Sequence, residues 1–341
     1  MGEKITIGII GAGRIGRLHA ENIVHIPKVR IKAISDIFIE NVKEWAHQIG
    51  IESVTADYHD ILNDPEIDAV LVCSPTSTHV AIIREAAGAG KYIFCEKPIS
   101  FSVEETKEVL EVVKEAGVKL QVGFNRRFDP NFKKVHDTVR EDTIGEVHIV
   151  KITSRDPEPP SAEYIKNSGG LFFDMAIHDY DMARYVTGSE VEEVYVQAAN
   201  LVDPVIGELG DIDTAFTVLK FENGALGVID NSRKAVYGYD QRLEVFGAKG
   251  SVTAQNEHPT NVEISTADGV LKDTLKHFFL DRYKDAYMNE THAFIDSVLY
   301  DKPLVCRGND GLQAELIAKA AKESFETKKP VKINRETSRS F

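Results

Sequence analysis

Cysteine is scarce in this sequence, and its positions argue against a disulfide framework. The 341 residues contain three cysteines, Cys73, Cys95 and Cys306, and none of them belongs to a CxxC pair. Cys73 and Cys95 fall in apolar, strand-like runs, where a buried free thiol is the usual finding. An odd number of cysteines without pairing motifs fits a reducing compartment, so we expect a cytoplasmic location.

Long apolar runs are also missing. No stretch of about 18 or more uncharged apolar residues occurs, so no membrane span is predicted. The apolar run after Lys4 is only as long as a strand and leads into a glycine-rich turn, unlike the apolar core of a signal peptide.

Positive charge is in deficit. Lysine and arginine total 40 against 54 aspartate and glutamate residues, and the formal net charge is −14. Most of such a surface would repel nucleic acid, so no nucleic-acid partner is expected. A polyanionic substrate is disfavoured for the same reason, although a local basic pocket could override the total.

What remains is an ordinary globular composition, with 43% hydrophobic and 28% charged residues. The length suits two domains. In the first third, short continuous apolar runs alternate with amphipathic helical patterns, which predicts a doubly wound α/β domain with a parallel sheet. The predicted strands are Ile5–Ile10, Val29–Ser35, Ala69–Cys73, Tyr92–Cys95 and Leu120–Gly123, and the helices include Arg17–Ile26, Thr78–Ala89 and Val103–Ala116.

The pattern changes near Asn125, after which strand follows strand, and the succession predicts an α+β domain with a mainly antiparallel sheet. Asn223-Gly224 between two strands is a hairpin signal. We therefore expect a dinucleotide-binding domain over residues 1–123 and a substrate-binding domain over 124–341. The later strands are Val147–Thr153, Val191–Ala198, Asp213–Phe221, Ala225–Asp230, Arg242–Phe246 and Val262–Thr266, and two helices, Arg282–Leu299 and Gly311–Thr327, close the chain.

The first strand runs directly into Gly11-Ala12-Gly13-Arg14-Ile15-Gly16, and a helical pattern follows. Gly11 would allow a tight turn, Gly13 would let the backbone approach a pyrophosphate, and Gly16 would let helix and strand pack closely. The helix N-terminus offers free N–H groups and partial positive charge to the phosphates. The alternative is a glycine-rich turn without a ligand.

Asp36 ends the second predicted strand, 20 residues after Gly16, where a carboxylate would bind the adenosine ribose hydroxyls. It would repel a 2′-phosphate, and neither Ile37 nor Phe38 supplies a cation. The sequence therefore predicts NAD rather than NADP. An acidic residue in an ordinary turn is the other interpretation.

Two more segments follow strands of the first domain. Ser74, Thr76 and His79 lie at the carboxyl end of the third predicted strand, where they could border the cofactor, while Thr76 or Thr78 could equally cap a helix. Glu96-Lys97-Pro98 follows the next strand. There, Lys97 could approach a substrate oxygen, with its backbone restricted by Pro98, or it could be a surface lysine before a turn.

The segment from Leu171 to Tyr185 predicts one mostly apolar helix after Gly169-Gly170. Asp174, His178 and Asp181 would share one face of that helix, and a polar stripe on a buried helix should face a wet cleft. A histidine titrates near neutral pH and suits proton abstraction from an alcohol. Helix stabilisation by the Asp–His pair and a metal site are alternatives. Without an HExxH motif or a cysteine cluster, no metal is predicted.

These motifs together resemble the glucose–fructose oxidoreductase/inositol dehydrogenase family over nearly the whole chain, and most closely the bacterial myo-inositol 2-dehydrogenases. The residues that carry the likeness are Gly11–Gly16, Phe94–Pro98, Gly123–Asp129, Asp174–Asp181 and Tyr237–Arg242. The resemblance implies a Rossmann domain followed by an open sheet through which members often form dimers or tetramers. One departure is Ser154-Arg155-Asp156-Pro157, where some inositol enzymes carry a histidine.

The resemblance assigns the catalytic lysine to Lys97 and the triad aspartate and histidine to Asp174 and His178, and it adds Arg127, Asp181 and Tyr237 as substrate contacts. Before the resemblance is considered, Arg127 could also link the domains and Tyr237 could be sheet packing. The expected cofactor contacts are Gly11, Gly13, Arg14, Ile15, Gly16, Asp36, Ser74, Thr76, His79, Glu96 and Lys97.

The resulting hypothesis is NAD-dependent oxidation of a secondary ring alcohol of a neutral cyclic polyol to a ketone. His178 would take the proton, Lys97 would hold the oxygen, and Asp174 would orient one of them. Another sugar or polyol dehydrogenase of the same family, or a reductase, is an alternative. A non-catalytic NAD-binding regulator is a third. A short-chain dehydrogenase is disfavoured because no tyrosine here has a lysine four residues later.

Overall fold

A computed structural model describes residues 4–334 of the chain. The strands, numbered along the chain, are β1 (Ile5–Ile10), β2 (Val29–Ser35), β3 (Ser53–Thr55), β4 (Ala69–Val72), β5 (Tyr92–Glu96), β6 (Leu120–Gly123), β7 (Val147–Arg155), β8 (Val191–Ala199), β9 (Thr214–Phe221), β10 (Leu226–Ser232), β11 (Asp240–Gly247), β12 (Gly250–Ala254), β13 (Glu263–Thr266), β14 (Gly269–Lys272) and β15 (Val331–Lys332).

The α-helices lie between and after these strands. They are α1 (Arg14–Ile23), α2 (Lys43–Gln48), α3 (His59–Leu62), α4 (Thr76–Gly88), α5 (Val103–Ala116), α6 (Pro130–Arg140), α7 (Ala162–Asn167), α8 (Gly170–Asp174), α9 (Ile177–Thr187), α10 (Pro204–Glu208), α11 (Phe279–Arg282), α12 (Lys284–Tyr300) and α13 (Gly308–Thr327).

The described chain divides into two compact units. The first contains residues 4–128 together with Asp285–Glu315, and the second contains Asp129–Lys284 and Leu316–Asn334. The sequence predicts two consecutive domains with a boundary after residue 123. The division differs because α12 packs into the core of the first unit, where Phe294 and Ile295 join the buried cluster around Phe94.

The first unit has a parallel sheet with strand order β3-β2-β1-β4-β5-β6. Its central strands are buried on both faces, as the continuous apolar runs predict. The consecutive residues Val70 and Leu71 of β4 point to opposite faces, and both are inaccessible to solvent. The doubly wound arrangement is confirmed. Strand β3 was not predicted, because three residues are too short to show a periodic pattern.

The second unit has a sheet with order β12-β11-β7-β10-β9-β8-β15, and neighbouring strands are antiparallel except for the parallel pair β7 and β10. The predicted mainly antiparallel sheet is thus confirmed, as is the hairpin at Asn223-Gly224. Gly224 has a φ of 88°, which favours glycine. The predicted strand near Val262 forms instead a separate two-stranded sheet, β13 with β14.

Helices cover one face of this second sheet. The Asn231 side chain of β10 donates to Asp179 of α9 over 2.8 Å, and the Val196 N–H of β8 donates to Ser324 of α13 over 3.0 Å. The opposite face is open: along β9 the buried Ala215, Thr217 and Leu219 alternate with exposed residues.

Candidate cofactor site and candidate catalytic residues

The glycine loop after β1 has the geometry that its three glycines predict. Gly11 has a φ of 97°, and a Cβ there would lie 2.6 Å from the Ser74 nitrogen. A Cβ on Gly16 would collide with the Gly11 carbonyl oxygen, so close packing of α1 on the loop requires glycine. A Cβ on Gly13 would meet nothing within 4 Å. The backbone at Gly13 is therefore open to a ligand, which fits a pyrophosphate at the start of α1.

Asp36 follows β2 and braces this loop. Its Oδ2 accepts a hydrogen bond from the Ala12 N–H over 2.8 Å, and its Oδ1 accepts one from the Phe38 N–H over 2.8 Å. A carboxylate has about four acceptor positions, so these two bonds leave room for ribose hydroxyls. The brace on Ala12 is a second role that spacing alone did not reveal.

Arg17 was not predicted, yet it supports the same loop. Its Nε donates to the Ala12 carbonyl over 3.0 Å, and its Nη2 donates to the Asn41 carbonyl over 2.7 Å. The guanidinium also lies 4.8 Å from the centre of the Trp45 ring. Arg14 and Ile15, predicted as cofactor contacts, are the first residues of α1; Arg14 is exposed and Ile15 half-buried.

The loop after β4 does not supply the predicted side-chain cap for the next helix. Helix α4 begins at Thr76 with Pro75 in the N-cap position and without a side-chain cap, so neither Thr76 nor Thr78 caps it. The Thr78 hydroxyl lies 2.6 Å from that of Ser74 and donates to the Pro75 carbonyl instead. Ser74 lies beside the glycine loop, next to Gly11, and Thr76 is the first residue of α4.

His79 is buried, and both ring nitrogens face backbone carbonyls. Its Nδ1 lies 2.8 Å from the Pro98 oxygen, and its Nε2 lies 2.9 Å from the Ser74 oxygen. Burial lowers the pKa of His79, although the two carbonyls favour its protonated form. The ring therefore ties the loop after β4 to the segment after β5, and a direct cofactor contact by His79 stays a prediction.

Lys97 lies immediately beyond the end of β5, as predicted, and is half-buried; its peptide bond to Pro98 is cis. The preceding residue, Glu96, accepts a hydrogen bond from Nε2 of the buried His19 over 2.9 Å. The other ring nitrogen of His19 lies 2.9 Å from the Thr291 hydroxyl. The Glu96 carboxylate is thus fixed by His19 of α1, which in turn contacts α12. A direct contact between Glu96 and the cofactor stays a prediction.

Glu290 adds a second carboxyl to this group. Its Oε1 lies 3.9 Å from Nε2 of His19, and the side chain is fully buried. Burial and the charge of Glu96 raise the pKa of Glu290 well above its ordinary value. Burial therefore favours the protonated form of Glu290.

In the second unit, the prediction of one continuous helix from Leu171 to Tyr185 is wrong. Helix α8 ends at Asp174 and α9 begins at Ile177, because the Met175 and Ala176 N–H groups both donate to the Leu171 carbonyl. Asp174 is therefore the last residue of α8, and His178 lies in the first turn of α9. The two side chains do not share a face of one continuous helix, contrary to what their four-residue spacing predicts. Both side chains are half-buried, whereas Asp181 is buried and lies 3.8 Å from Nη1 of Arg184.

Asp174 is held by two residues that the sequence analysis missed. The Tyr164 hydroxyl donates to its Oδ1 over 2.8 Å, and Nη2 of the buried Arg233 lies 2.9 Å from its Oδ2. Arg233 also lies 3.3 Å from Asp156. Burial opposes the charge of Arg233, but the two carboxylates keep its pKa above the ordinary value. Arg233 is far from Asp174 in sequence, and no local pattern links them.

The remaining predicted substrate residues lie in polar networks. In the first unit, the Arg127 guanidinium donates to the Val305 carbonyl and to Asp310, each over 3.0 Å. In the second unit, the half-exposed Tyr237 donates to Asp240 over 2.7 Å and accepts from Arg155 over 2.9 Å. Arg155 also forms a bidentate pair with Asp230. These contacts leave the substrate roles of Arg127, Asp181 and Tyr237 as predictions.

Comparison with known proteins settles the family. Residues 5–124 match an oxidoreductase family described by its NAD-binding Rossmann fold, and residues 132–253 match the GFO/IDH/MocA C-terminal domain. An uncharacterised oxidoreductase of Bacillus subtilis is 59% identical, covering 98% of each chain. Myo-inositol 2-dehydrogenase of Thermotoga maritima is 49% identical, covering 96% of this chain and 98% of that protein. The chain belongs to the GFO/IDH/MocA oxidoreductase family.

A solved structure of the family resembles this chain closely. Scyllo-inositol dehydrogenase from Lactobacillus casei, with bound NAD(H) and scyllo-inositol, has a TM-score of 0.91 at 32% identity, covering 97% of this chain and 99% of that chain. The first domain is the NAD-binding Rossmann domain of the GFO/IDH/MocA family, which confirms the predicted cofactor.

Two further observations concern membrane-spanning helices and the cysteines. No helix within residues 4–334 is long and apolar enough to cross a membrane. None of Cys73, Cys95 and Cys306 forms a disulfide bond; Cys95 and Cys306 are buried, and Cys73 is half-buried.

Proposed function

We propose that this GFO/IDH/MocA oxidoreductase oxidises a secondary ring alcohol of a neutral cyclic polyol to a ketone, with myo-inositol as the first candidate substrate. The observation that carries the proposal is the full-length similarity, at 49% identity, to a protein named myo-inositol 2-dehydrogenase. The open glycine loop, with Asp36 beside it, supplies a fitting cofactor site. NAD, when bound, accepts the hydride that leaves the alcohol carbon.

Lys97, His178 and Asp174 are the groups that we propose for the chemistry. His178 takes the hydroxyl proton, for which an imidazole is suited near neutral pH. Lys97 donates a hydrogen bond to the same oxygen and stabilises its developing negative charge. Asp174 orients one of these two groups, and its hydrogen bond from Tyr164 and ion pair with Arg233 support a fixed carboxylate.

A substrate panel tests this proposal. The purified protein is incubated with NAD or NADP and with myo-inositol, scyllo-inositol, other inositols, pyranoses and sugar phosphates, and reduced nicotinamide is followed by absorbance. We expect turnover with NAD and at least one inositol, and none by a Lys97→Ala control. Better turnover of phosphorylated sugars than of every neutral compound would contradict the substrate class. NAD binding without any turnover would favour a regulator.

We further propose that the chain forms a homodimer or homotetramer through the open face of the second sheet. Five large apolar residues are exposed on that face, and the strand register aligns Phe246, Ile149 and Leu226 across β11, β7 and β10. Phe216 and Val218 extend this open apolar face on β9, with 51% and 41% of their surface exposed. A contiguous apolar surface of this kind is rare on monomers.

A further inference from the structure

A buried carboxyl group lies against the backbone that follows Lys97. Oε1 of Glu315, in α13, accepts hydrogen bonds from the Ile99 N–H over 2.8 Å and from the Ser100 N–H over 3.2 Å. Glu315 is fully inaccessible to solvent, and so is Ile99. All of these groups belong to the first unit.

The chain needs an acceptor at this place. Strand β5 ends at Glu96, so the N–H groups of Ile99 and Ser100 lie beyond the sheet, in a buried position where unpaired donors are costly. Helix α13 can supply the acceptor because glycine allows a close approach. A Cβ on Gly311 would lie 2.9 Å from Cδ1 of Ile99, and Glu315 follows one turn later on the same side of the helix.

The rest of the segment is fixed as well. The Pro98 carbonyl faces His79, the Glu96 carboxylate faces His19, and the Ser100 hydroxyl donates to Glu105 over 2.7 Å. Glu315 therefore completes a set of buried contacts that reaches both sides of Lys97. It is the member that holds two consecutive backbone N–H groups.

We propose that Glu315 is a positioning residue for Lys97, acting through the backbone of Ile99 and Ser100. The inference rests on the proposed function, in which Lys97 contacts the reacting oxygen. Placement of such a group matters because a displacement of about 1 Å can lower a rate by roughly 100-fold.

The chemistry of Glu315 indicates which substitution should be tolerated. Burial raises the pKa of Glu315 to about 8, outweighing the Thr106 hydroxyl and the Ser100 and Ile99 N–H groups, all of which favour the charged form. At neutral pH the side chain is therefore mainly a neutral acid. Glutamine has nearly the same shape, carries no charge and retains an oxygen that can accept both N–H groups, whereas methionine fills the volume without such an acceptor.

The experiment compares Glu315→Met and Glu315→Gln with the parent enzyme and with Leu312→Ala. Leu312 is buried in the same helix, so its truncation weakens packing but leaves the acceptor in place. We measure kcat per NAD-binding site, KM for NAD, and the isotope effect on kcat with substrate deuterated at the oxidised carbon.

We expect Glu315→Met to lower kcat by about 10- to 100-fold and to raise the isotope effect, because hydride transfer becomes slower when Lys97 is misplaced. KM for NAD should stay near the parent value, since the glycine loop and Asp36 are unchanged. Glu315→Gln should restore kcat to within a few-fold of the parent. Leu312→Ala should lower the melting temperature and leave kcat and the isotope effect unchanged.

Parent-like kcat in Glu315→Met, an equal loss in Glu315→Gln, or an equal loss in Leu312→Ala would overturn the inference. If Glu315→Met does not fold, Glu315→Asp replaces it: the shorter side chain withdraws the carboxyl oxygen from the Ile99 and Ser100 N–H groups and should lower kcat by a few-fold, and parent-like kcat would then overturn the inference. A Lys97→Ala variant with parent-like turnover would instead contradict the proposed function itself.

Discussion

Asp36 has a structural role in the glycine loop, and we propose that the same side chain recognises the cofactor. It accepts the Ala12 N–H in the glycine loop, and we infer that its remaining acceptor positions bind the adenosine ribose. Asp36→Ala should raise KM for NAD by roughly 10- to 100-fold, since hydrogen bonds to charged groups contribute about 1.5–3 kcal/mol. KM for NADP should change much less, because removing the charge also relieves repulsion of the 2′-phosphate. Steady-state kinetics with both cofactors measures this.

The control for Asp36 is Glu40→Ala. Glu40 is an exposed carboxylate nearby in sequence that pairs with Lys43 over 2.6 Å, so its loss removes a charge without touching the glycine loop. A parent enzyme that uses NADP better than NAD would show that the ribose assignment is wrong.

Lys97 and His178 should both be essential for turnover, Lys97 because it stabilises the substrate oxygen and His178 because it takes the proton. Each alanine variant should lose about 100- to 10,000-fold in kcat, the range of a general acid–base group. The double variant should be little worse than the poorer single one, because groups acting as one unit are not additive. In the parent, protonation of His178 at low pH removes the proposed base and lowers the rate. The pH–rate profile of His178→Ala should therefore lose this decline on its acidic side.

His277→Ala is the matched control, because His277 is an exposed histidine of the same unit. NAD binding should persist in Lys97→Ala, which isothermal titration can check. Turnover of His178→Ala within a few-fold of the parent, with the acidic limb intact, would exclude His178 as the base and point to Lys97.

Among the elements, the start of α6 shows how one carboxylate can serve two purposes. Asp129 caps α6 by accepting the Asn131 and Phe132 N–H groups, and it pairs with the buried Arg282 over 2.6 Å. Asp129→Ala should therefore lower the free energy of unfolding by about 3 kcal/mol, the low end for a broken buried ion pair, since Arg282 loses its buried partner but keeps the half-buried Glu257 at 3.3 Å. Urea unfolding at neutral pH measures the loss.

Ser161→Ala provides the comparison for Asp129. Ser161 caps α7 through the Tyr164 N–H but has no buried ionic partner, so its loss should cost only about 1 kcal/mol. Equal losses in the two variants would mean that the Asp129–Arg282 pair adds nothing beyond the cap.

At the level of the whole molecule, assembly should depend on the open sheet face. Phe216→Glu puts a charge among its apolar residues and should convert the dimer or tetramer into monomers, as measured by light scattering after size exclusion. Leu271→Glu is the control, because Leu271 is 65% exposed on the separate β13–β14 hairpin. A monomeric parent, or a Phe216→Glu variant with the parent mass, would contradict the proposed interface.

Stability of the whole chain should respond to pH through Glu315. Its pKa in the folded state is about 8, above the ordinary glutamate value, so folding favours the protonated form. The stabilisation is complete below the pKa of the unfolded state, near 4.3, and is lost as pH rises toward 8. The free energy of unfolding of the parent should therefore fall relative to Glu315→Gln between these pH values. A constant difference across the range would contradict the raised pKa.

Much of the fold follows from short-range patterns. The apolar run Ile5–Ile10, the glycines that follow it and Asp36 after the second strand predict the parallel sheet and its cofactor loop, because each feature involves near neighbours in sequence. The same holds for the hairpin at Asn223-Gly224. Periodicity records which face of a local element is buried, so these elements were predicted nearly to the residue.

The partners of buried polar groups cannot be predicted from local sequence patterns. Arg233 beside Asp174 and Glu315 beneath Ile99 are contacts across large sequence separations, and the donor or acceptor that each group needs can come from any element that packs nearby. The break between α8 and α9 likewise interrupts a segment without glycine or proline, where no local signal predicts it. Residue types and motifs predicted which side chains would carry chemistry, and that remains a prediction. Long-range packing selected the groups that hold those side chains, because a buried hydrogen bond depends on distance in space and not on distance along the chain.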